Sequence, residues 1–499
     1  MAVTTDRPEH SDSSQQPLKQ GQLEPGRATT SPALTLLAAL LGFALITLDA
    51  SIVNVALPAI GDALGGGMTG LQWVVDAYTL AFAALMLSTG AFSDRAGAGR
   101  AYGIGIALFT AASVACALAP SLGLLIGARV VQGIAAAVVL PASLALVRQA
   151  YADATARARA VALWAAGGSV AIALGPVAGG ALTTAWDWRG IFLVNLPLGA
   201  AALALLVRAP RTERRPAPTP LDLPGQLTAV VALTALTFAV IEGGTTGLVS
   251  GAVALAAGAL FLYVESRQPH PVVPLDLFRD RSVAVLMAAG AACSVAFYGV
   301  TFVFSLFFQQ VQGRSALEAG LIFLPMTGLI AGTNVVAGKL AGRYGPRLPM
   351  LIGQALASLG FLLVLPVDAT TPALHLALLL VPLALGCALT IPPLTAAMME
   401  AVPAERAGVA AGVLNSARQV SGALGIATFG ALLAEDFLPG LRVSMLISAG
   451  LLAVTGVGTL LLPSPPLPRC ANMRPAPRGL PDGPPRSSAG ENSIPRDRE

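Results

Sequence analysis

Charged residues are scarce in this chain: only 11% of its 499 residues are charged, against about 25% in soluble domains. Four cysteines and three histidines are present, and aromatic residues make up 5%. His10, His270 and His375 lie far apart in the sequence, and no spacing pairs the cysteines. We therefore expect no metal site, no cofactor, no disulfide and no enzymatic chemistry that needs clustered ligands.

Two further classes of function lack their sequence signals. The net charge is only +4, and no basic stripe carries interleaved aromatic residues, so nucleic-acid binding is not expected. The nearest approach to a phosphate loop runs from Gly332 to Lys339. It has the wrong glycine spacing and lacks Ser or Thr after the lysine. An ATP-driven pump is therefore not expected.

Apolar residues, in contrast, are abundant and are arranged in blocks. They make up 55% of the chain, and the mean hydropathy is +0.73. The blocks are about 20 residues long, the length of a helix that crosses a bilayer. They predict an all-α membrane protein with fourteen spans. The predicted spans are 33–58, 70–92, 101–119, 121–147, 160–183, 190–208, 225–242, 247–264, 283–305, 316–337, 348–366, 373–396, 406–434 and 441–462.

Basic residues indicate how these spans are oriented. With a cytoplasmic N-terminus, 25 of the 30 Lys and Arg residues fall in cytoplasmic segments, three in outer loops and two within spans. Because positive charge is retained on the cytoplasmic side, both termini should be cytoplasmic. The polar N-terminal stretch lacks the features of a cleaved signal peptide.

A short internal repeat divides the chain into two halves. Residues 90–100 read GAFSDRAGAGR, and residues 338–347 read GKLAGRYGPR at an equivalent place. Two six-helix bundles with two inserted helices would account for both, which is a transporter architecture. The predicted organisation is a disordered cytoplasmic tail (1–32), a first bundle (33–208), linkers with the inserted helices (209–281), a second bundle (282–462) and a disordered Pro/Arg-rich cytoplasmic tail (463–499).

Two charged residues lie deep within the first bundle. Asp49 is in the first span, where a carboxylate costs at least ~2.5 kcal/mol and must face a cavity or a partner. Arg129 is in the fourth span, with Gln132 and Gly133 at helical spacing. Asp49 and Arg129 are candidates for proton coupling, or else form a structural ion pair.

Other polar residues are candidates for a substrate cavity. Asp76 lies nearer the outer end of the second span, so it faces either the cavity or the headgroup boundary. Glu242 ends the seventh span, where solvation at the membrane surface is the simpler interpretation. In the thirteenth span Asn415, Arg418 and Gln419 form a polar stripe that cannot face lipid. With Gln132 and Asp76, these three residues make up the predicted substrate cavity.

The fifth span contains the sequence GGSVAIALGPVAGGA. Gly175 and Gly179 have the spacing of a close helix–helix contact, and Pro176 between them removes a backbone hydrogen bond. Gly180 extends the small-residue stretch.

Together these segments resemble the fourteen-span drug:proton antiporter group of the major facilitator superfamily. The resemblance extends from about Leu34 to Leu462. Its motifs are LDASIVNVALP (48–58), GAFSDRAGAGR (90–100), ARVVQG (128–133), GPVAGG (175–180) and WRGIFLVNLP (188–197). Within that group, QWVVDAYTLAF (72–82) and LNSARQVSGALGIA (414–427) are most similar to actinobacterial antibiotic exporters of the methylenomycin-resistance type.

The resemblance implies a function and several residue roles. It implies proton-coupled export of a small amphipathic compound across the bacterial cytoplasmic membrane, by a chain that we expect to be monomeric. Arg129 would take part in proton transfer, and Gly175, Pro176, Gly179 and Gly180 would allow helix rearrangement and limit proton leak. Asp94 would stabilise the outward-facing state from a gating loop that contains Gly90, Asp94, Arg95, Gly97 and Arg100.

One departure from the family pattern concerns that loop. The family usually has two basic residues after the second glycine, whereas Ala98 and Gly99 stand there and only Arg100 follows. Two alternatives of function also stay open, an exporter dedicated to one endogenous metabolite and a proton-coupled importer.

Overall fold

The computed structural model describes residue 2 and residues 32–208, 222–268, 271, 273–403 and 406–462, and the side chains of residues 87, 91, 94 and 154 lie outside the described part. The two predicted tails therefore fall almost entirely outside it. The described residues form sixteen α-helices. They are α1 Pro32–Leu64, α2 Gly67–Ala96, α3 Ala98–Ala117, α4 Leu122–Ala150, α5 Ala154–Ala185, α6 Gly190–Leu193, α7 Asn195–Arg208, α8 Leu223–Glu242, α9 Gly244–Arg267, α10 Arg281–Leu306, α11 Ala316–Gly328, α12 Ile330–Tyr344, α13 Arg347–Leu363, α14 Ala373–Glu400, α15 Ala407–Glu435 and α16 Phe437–Leu460.

The helices make fourteen membrane spans, because α6 and α7 share one span and α11 and α12 share another. In the described residues, eleven segments are long and apolar enough to cross a bilayer. The other three spans are α2, with 30 residues, α15, with 29 residues, and the shorter apolar α13, with 17 residues. The predicted all-α membrane fold is confirmed.

Side-chain caps fix where several helices begin. Asp153, Asp222 and Asp280 each accept a hydrogen bond from a backbone N–H in the first turn of α5, α8 and α10. Ser315 and Glu318 form a reciprocal capping box at the start of α11. These caps therefore fix the residue at which each of these four helices begins.

One predicted span is longer than expected, and two others are interrupted by a single residue within the span. α1 continues past Pro58 to Leu64. Pro58 cannot donate to the Asn54 carbonyl, and Ser305 Oγ of α10 donates to it instead, at 2.5 Å. The tenth span is not continuous but breaks at Leu329, just after Pro325 and Gly328. The sixth span breaks at Val194, for which the structure offers no comparable cause.

The chain has two bundles of six spans each, one of α1–α7 and one of α10–α16. The inserted pair α8–α9 lies beside them, and α8 packs against α2 and α15. We call the membrane side with the turn between α1 and α2 the α1–α2 end, and the opposite side the α2–α3 end. At the α1–α2 end, one hydrophobic core contains residues from both bundles, from Ile52 and Val74 to Phe304 and Ile426. At the α2–α3 end, the main clusters of buried residues described there each belong to a single bundle. A buried core thus spans both bundles at one end, whereas at the other end each bundle has its own buried clusters.

Candidate functional site

Asp49 of α1 and Arg129 of α4 form an ion pair inside the first bundle. Arg129 Nη1 donates to Asp49 Oδ2, and both residues are fully buried. The two helices pack along each other, which brings their only embedded charges together. A buried ion pair needs further hydrogen bonds to offset the loss of hydration.

Amide and hydroxyl groups supply those hydrogen bonds. Asp49 Oδ1 accepts from Asn195 Nδ2 at 2.8 Å and from Gln132 Nε2 at 3.2 Å. Both amides also donate to Ser113 Oγ, Gln132 at 2.8 Å and Asn195 at 3.2 Å. We call Asp49, Ser113, Arg129, Gln132 and Asn195 the buried polar cluster. It joins α1, α3, α4 and α7.

The guanidinium of Arg129 has additional partners. Its Nε donates to the Val74 carbonyl at 3.1 Å, and its Nη1 donates to Gln132 Oε1 at 2.9 Å. The Tyr78 ring lies beneath it, with the ring centroid 4.4 Å from Cζ. Arg129 therefore links α4 to α2 as well as to α1. Protonation of Asp49 would turn an acceptor into a donor and break part of this cluster, so proton binding there would be transmitted to four helices.

Sequence reasoning missed two members of the cluster. Ser113 and Asn195 were not candidates, because a lone hydroxyl or amide in a span is a weak signal. Asn195 does lie within the motif WRGIFLVNLP, and that position was the signal available in the sequence. Gln132, predicted to line the substrate cavity, lies instead in the buried polar cluster.

Asp76 of α2 has a very different environment. It is fully buried, yet neither of its carboxylate oxygens has a hydrogen-bond partner among the described residues. One turn earlier, Gln72 Nε2 donates across the bundle boundary to the Ala427 carbonyl of α15 at 2.7 Å. Asp76 thus lies in the bundle interior and not at the headgroup boundary.

The polar stripe of α15 faces α2 and α10. Asn415 Nδ2 contacts Met86 Sδ of α2 at 3.2 Å, and Tyr298 of α10 donates to Gln419 Oε1 at 3.1 Å. Arg418 is half-buried, and its Nε has no partner among the described residues. These residues lie along the junction between bundles. Glu242, by contrast, is exposed at the end of α8.

The glycines of α5 form close contacts with two neighbouring helices. A Cβ atom at Gly179 would lie 2.6 Å from the Ile52 carbonyl oxygen, and one at Gly175 would collide with Ser51. One at Gly180 would lie 2.8 Å from Leu317 Cα of α11. Gly175 and Gly179 thus sit at a contact with α1, while Gly180 faces the other bundle. Pro176, inside α5, lies with its carbonyl against Gly320 of α11.

The loop between α2 and α3 lies at the end where each bundle has its own buried clusters. Gly90 and Arg95 belong to α2, and Arg100 is exposed in the first turn of α3. Gly97 has φ +86°, a conformation that favours glycine. The Asp94 side chain lies outside the described part, so its predicted gate contacts stay a prediction.

An exposed ion pair ties the inserted segment to the second bundle at this same end. Arg406, before α15, donates to Asp276 of the turn that follows α9. The hydrogen bond from Arg406 lowers the pKa of Asp276 from its ordinary value. Because both side chains are about half exposed, water and salt screen the pair.

Comparisons with known proteins agree with this architecture. Residues 39–426 match the model of the Major Facilitator Superfamily. The chain is 41% identical over 410 residues to the multidrug resistance protein Stp of Mycobacterium tuberculosis, covering 80% of this chain and 76% of that protein. It is 36% identical over 430 residues to the methylenomycin A resistance protein of Streptomyces coelicolor, covering 84% and 90%.

A solved structure has a similar fold. A bacterial homologue of the human lysosomal transporter Spinster, in an inward-facing and unoccupied conformation, superposes with a TM-score of 0.65 at 18% identity, covering 87% of this chain and 97% of that one. Family match, relatives and fold agree: the chain belongs to the Major Facilitator Superfamily, among relatives that confer drug and antibiotic resistance.

Proposed function

We propose that this protein exports small amphipathic compounds, including antibiotics, by exchanging them for protons across the bacterial cytoplasmic membrane. The observation that supports this proposal is the ion pair of Asp49 and Arg129, an acid and a base that are fully buried inside a membrane bundle. Embedded ionisable residues in transporters mark ion and substrate pathways. The similarity to the resistance proteins of M. tuberculosis and S. coelicolor supports export as the direction.

Orientation follows from the distribution of basic residues. We place the α2–α3 end in the cytoplasm, together with both termini. The joined α1–α2 end then closes the outer side, and the bundles separate towards the cytoplasm. This arrangement suits a resting exporter that receives its cargo from the cytoplasm or the inner leaflet. We expect the protein to act as a monomer, since each chain contains both bundles.

Coupling would occur through the Asp49 carboxylate. In the closed cluster it accepts hydrogen bonds from Arg129, Gln132 and Asn195. Cargo would bind between the bundles, where Asp76, Asn415, Arg418 and Gln419 are the candidate contacts, and would disturb the pairing of Asp49. A proton taken up from outside would then be released inside. Each charge moved supplies ~2.3 kcal/mol per 100 mV, which sustains a concentration ratio of roughly fiftyfold.

The decisive experiment is a flux assay in proteoliposomes with an interior pH dye. Methylenomycin A and ethidium serve as two probes of different charge. Addition of either probe should drive proton movement in the unmodified protein. Asp49→Asn should abolish uphill export yet allow downhill exchange. Arg129→Lys should be impaired, because lysine keeps the charge but lacks the planar fork.

A matched control is Asp187→Asn, an exposed carboxylate that pairs with Arg189 at 3.4 Å outside the bundles. It should transport normally. Substrate-driven proton movement of normal size in Asp49→Asn would overturn the carrier role of Asp49. Probe accumulation together with proton entry, with no export, would instead identify an importer.

A further inference from the structure

Asp49 and Asp76 are two buried carboxylates of the same bundle with opposite surroundings. Asp49 accepts hydrogen bonds from three side chains, one of them a guanidinium. Asp76 is equally buried, but its two oxygens have no donor and no cation among the described residues. An ionised carboxylate without partners is strongly disfavoured in such a place, whereas the neutral acid is tolerated. The conformation seen here therefore favours the neutral acid form of Asp76 over the carboxylate.

The position of Asp76 ties that proton to the contact between the bundles. α2 packs against α15 of the other bundle. Four residues before Asp76, Gln72 donates to the Ala427 carbonyl, and further along the helix Asn415 contacts Met86. Asp76 lies between these two contacts and on the same face of α2, by helical spacing.

Ionisable groups on the neighbouring helices do not relieve the isolation of Asp76. The helices that pack against α2 are α1, α3, α4, α8 and α15. Their embedded or adjoining ionisable groups include Asp49, Tyr102, Cys116, Arg129, Asp222, Glu242 and Arg418. None of them makes an ion pair or hydrogen bond with Asp76 in the described structure. Arg129 is committed to Asp49, and Glu242 is exposed.

We propose that Asp76 is a second proton-binding carboxyl of the transport cycle, and that its protonation permits the α1–α2 end to close. When that end opens, water reaches Asp76 and the carboxylic acid gives its proton to water. When the carboxylate takes a proton back from hydronium on the same side, no charge remains to be buried and α2 can pack against α15 again. This inference rests on the proposed function, because it assigns a step to the same proton-driven cycle.

Three side-chain bonds to backbone carbonyls would have to break when the end opens. They are Ser305 to Asn54, Gln309 to Val55 at 3.0 Å and Gln72 to Ala427. All three cross from one bundle to the other near the α1–α2 end. They hold the closed state but do not titrate, so any pH dependence of opening must come from an acid such as Asp76.

A cysteine reporter tests the proposal directly. Ala56→Cys places a thiol in the fully buried joined core of a cysteine-free variant that is first checked for transport. A membrane-impermeant maleimide is added on the α1–α2 side, and its rate is divided by that at exposed Ser121→Cys to remove the pH dependence of the reagent. As external pH rises, the normalised rate should increase by up to about tenfold per pH unit, the limit for one linked proton.

Substitutions at Asp76 then test whether this residue causes the pH dependence of labelling. Asp76→Asn copies the neutral acid, so its labelling should be slow and independent of pH. Asp76→Glu keeps an exchangeable proton and should keep a pH-dependent rate. Asp187→Asn, a carboxylate exposed at the same end, should behave like the unmodified chain. An unchanged pH response in Asp76→Asn overturns the proposal.

A second measurement needs no substitution. Dicyclohexylcarbodiimide reacts with protonated carboxyls in apolar surroundings and leaves a stable adduct that peptide mass spectrometry detects. We expect the adduct on Asp76 and not on Asp49. An adduct on Asp49 without one on Asp76 overturns the proposal. If substrate drives no proton movement in the unmodified chain, the proposed function fails, whereas normal coupling with a pH-responsive Asp76→Asn refutes only this inference.

Discussion

The ion pair of Asp49 and Arg129 leads to an asymmetric prediction about stability. Asp49→Asn leaves a fully buried guanidinium without its counter-ion, and removing one partner of a buried pair costs about 3–5 kcal/mol. Arginine cannot escape this cost by losing its proton. Arg129→Met leaves Asp49, which can take up a proton and still hydrogen-bond to Asn195 and Gln132. We therefore expect Arg129→Met to cost less, about 1–3 kcal/mol.

The double variant Asp49→Asn, Arg129→Met completes a double-mutant cycle. With both charges removed, neither is left unpaired, so the double variant should lie within about 2 kcal/mol of the unmodified protein. Because the two single costs sum to about 4–8 kcal/mol, the coupling energy between the two positions would then be at least about 2 kcal/mol in favour of the pair. The assay is the free energy of unfolding in mixed micelles with a rising fraction of denaturing detergent. Purely additive effects, or a cost below about 1 kcal/mol for Asp49→Asn, would refute the reasoning.

Further predictions concern packing, topology and gating. Gly175→Leu and Gly179→Leu should each block transport by overpacking α5 on α1 while the protein still inserts, whereas Gly258→Leu, with open space around its Cβ, should not. Reporter fusions after Pro210 and Pro463 should both read as cytoplasmic, and an outer signal at either would reject the topology. Asp94→Asn should slow turnover and leave probe affinity nearly unchanged; lost affinity with normal turnover would contradict the gating role. Because the pKa of Asp276 is lowered, its carboxylate stays ionised and bonded to Arg406 at neutral pH, and the bond is lost only in acid. Asp276→Asn should therefore not change the pH profile of export.

The sequence predicted the spans well because bilayer burial imposes a strong pattern of apolar blocks. Its errors came where side chains from distant helices decide the outcome. Pro58 looked like a helix end, yet Ser305 satisfies the carbonyl that Pro58 leaves free, and α1 continues. No local pattern could reveal that α10 supplies this donor.

For the candidate site, too, the sequence identified the key residues but not the side chains that surround them. Charged residues in apolar spans are conspicuous, so Asp49, Arg129 and Asp76 could be identified from the sequence. Their surroundings could not, because Asn195 and Ser113 reach Asp49 only through the packing of α7 and α3 on the bundle. The difference between a saturated and an isolated carboxylate is a property of the tertiary structure.

The two bundles meet along two seams, one between α2 and α15 and one between α5 and α11. The inserted helix α8 packs against the first of them. α8 lies against both α2 and α15, and Phe238 contacts the ring of Trp73 with centroids 5.8 Å apart. On the opposite seam, α5 and α11 are in close contact as far as the bond from Thr327 to the Ala173 carbonyl. Beyond it, only Ala337 is buried among the fifteen residues of α12, all of them described. The seam between α2 and α15 is therefore covered by α8, whereas the seam between α5 and α11 continues beside α12, a helix that buries a single residue.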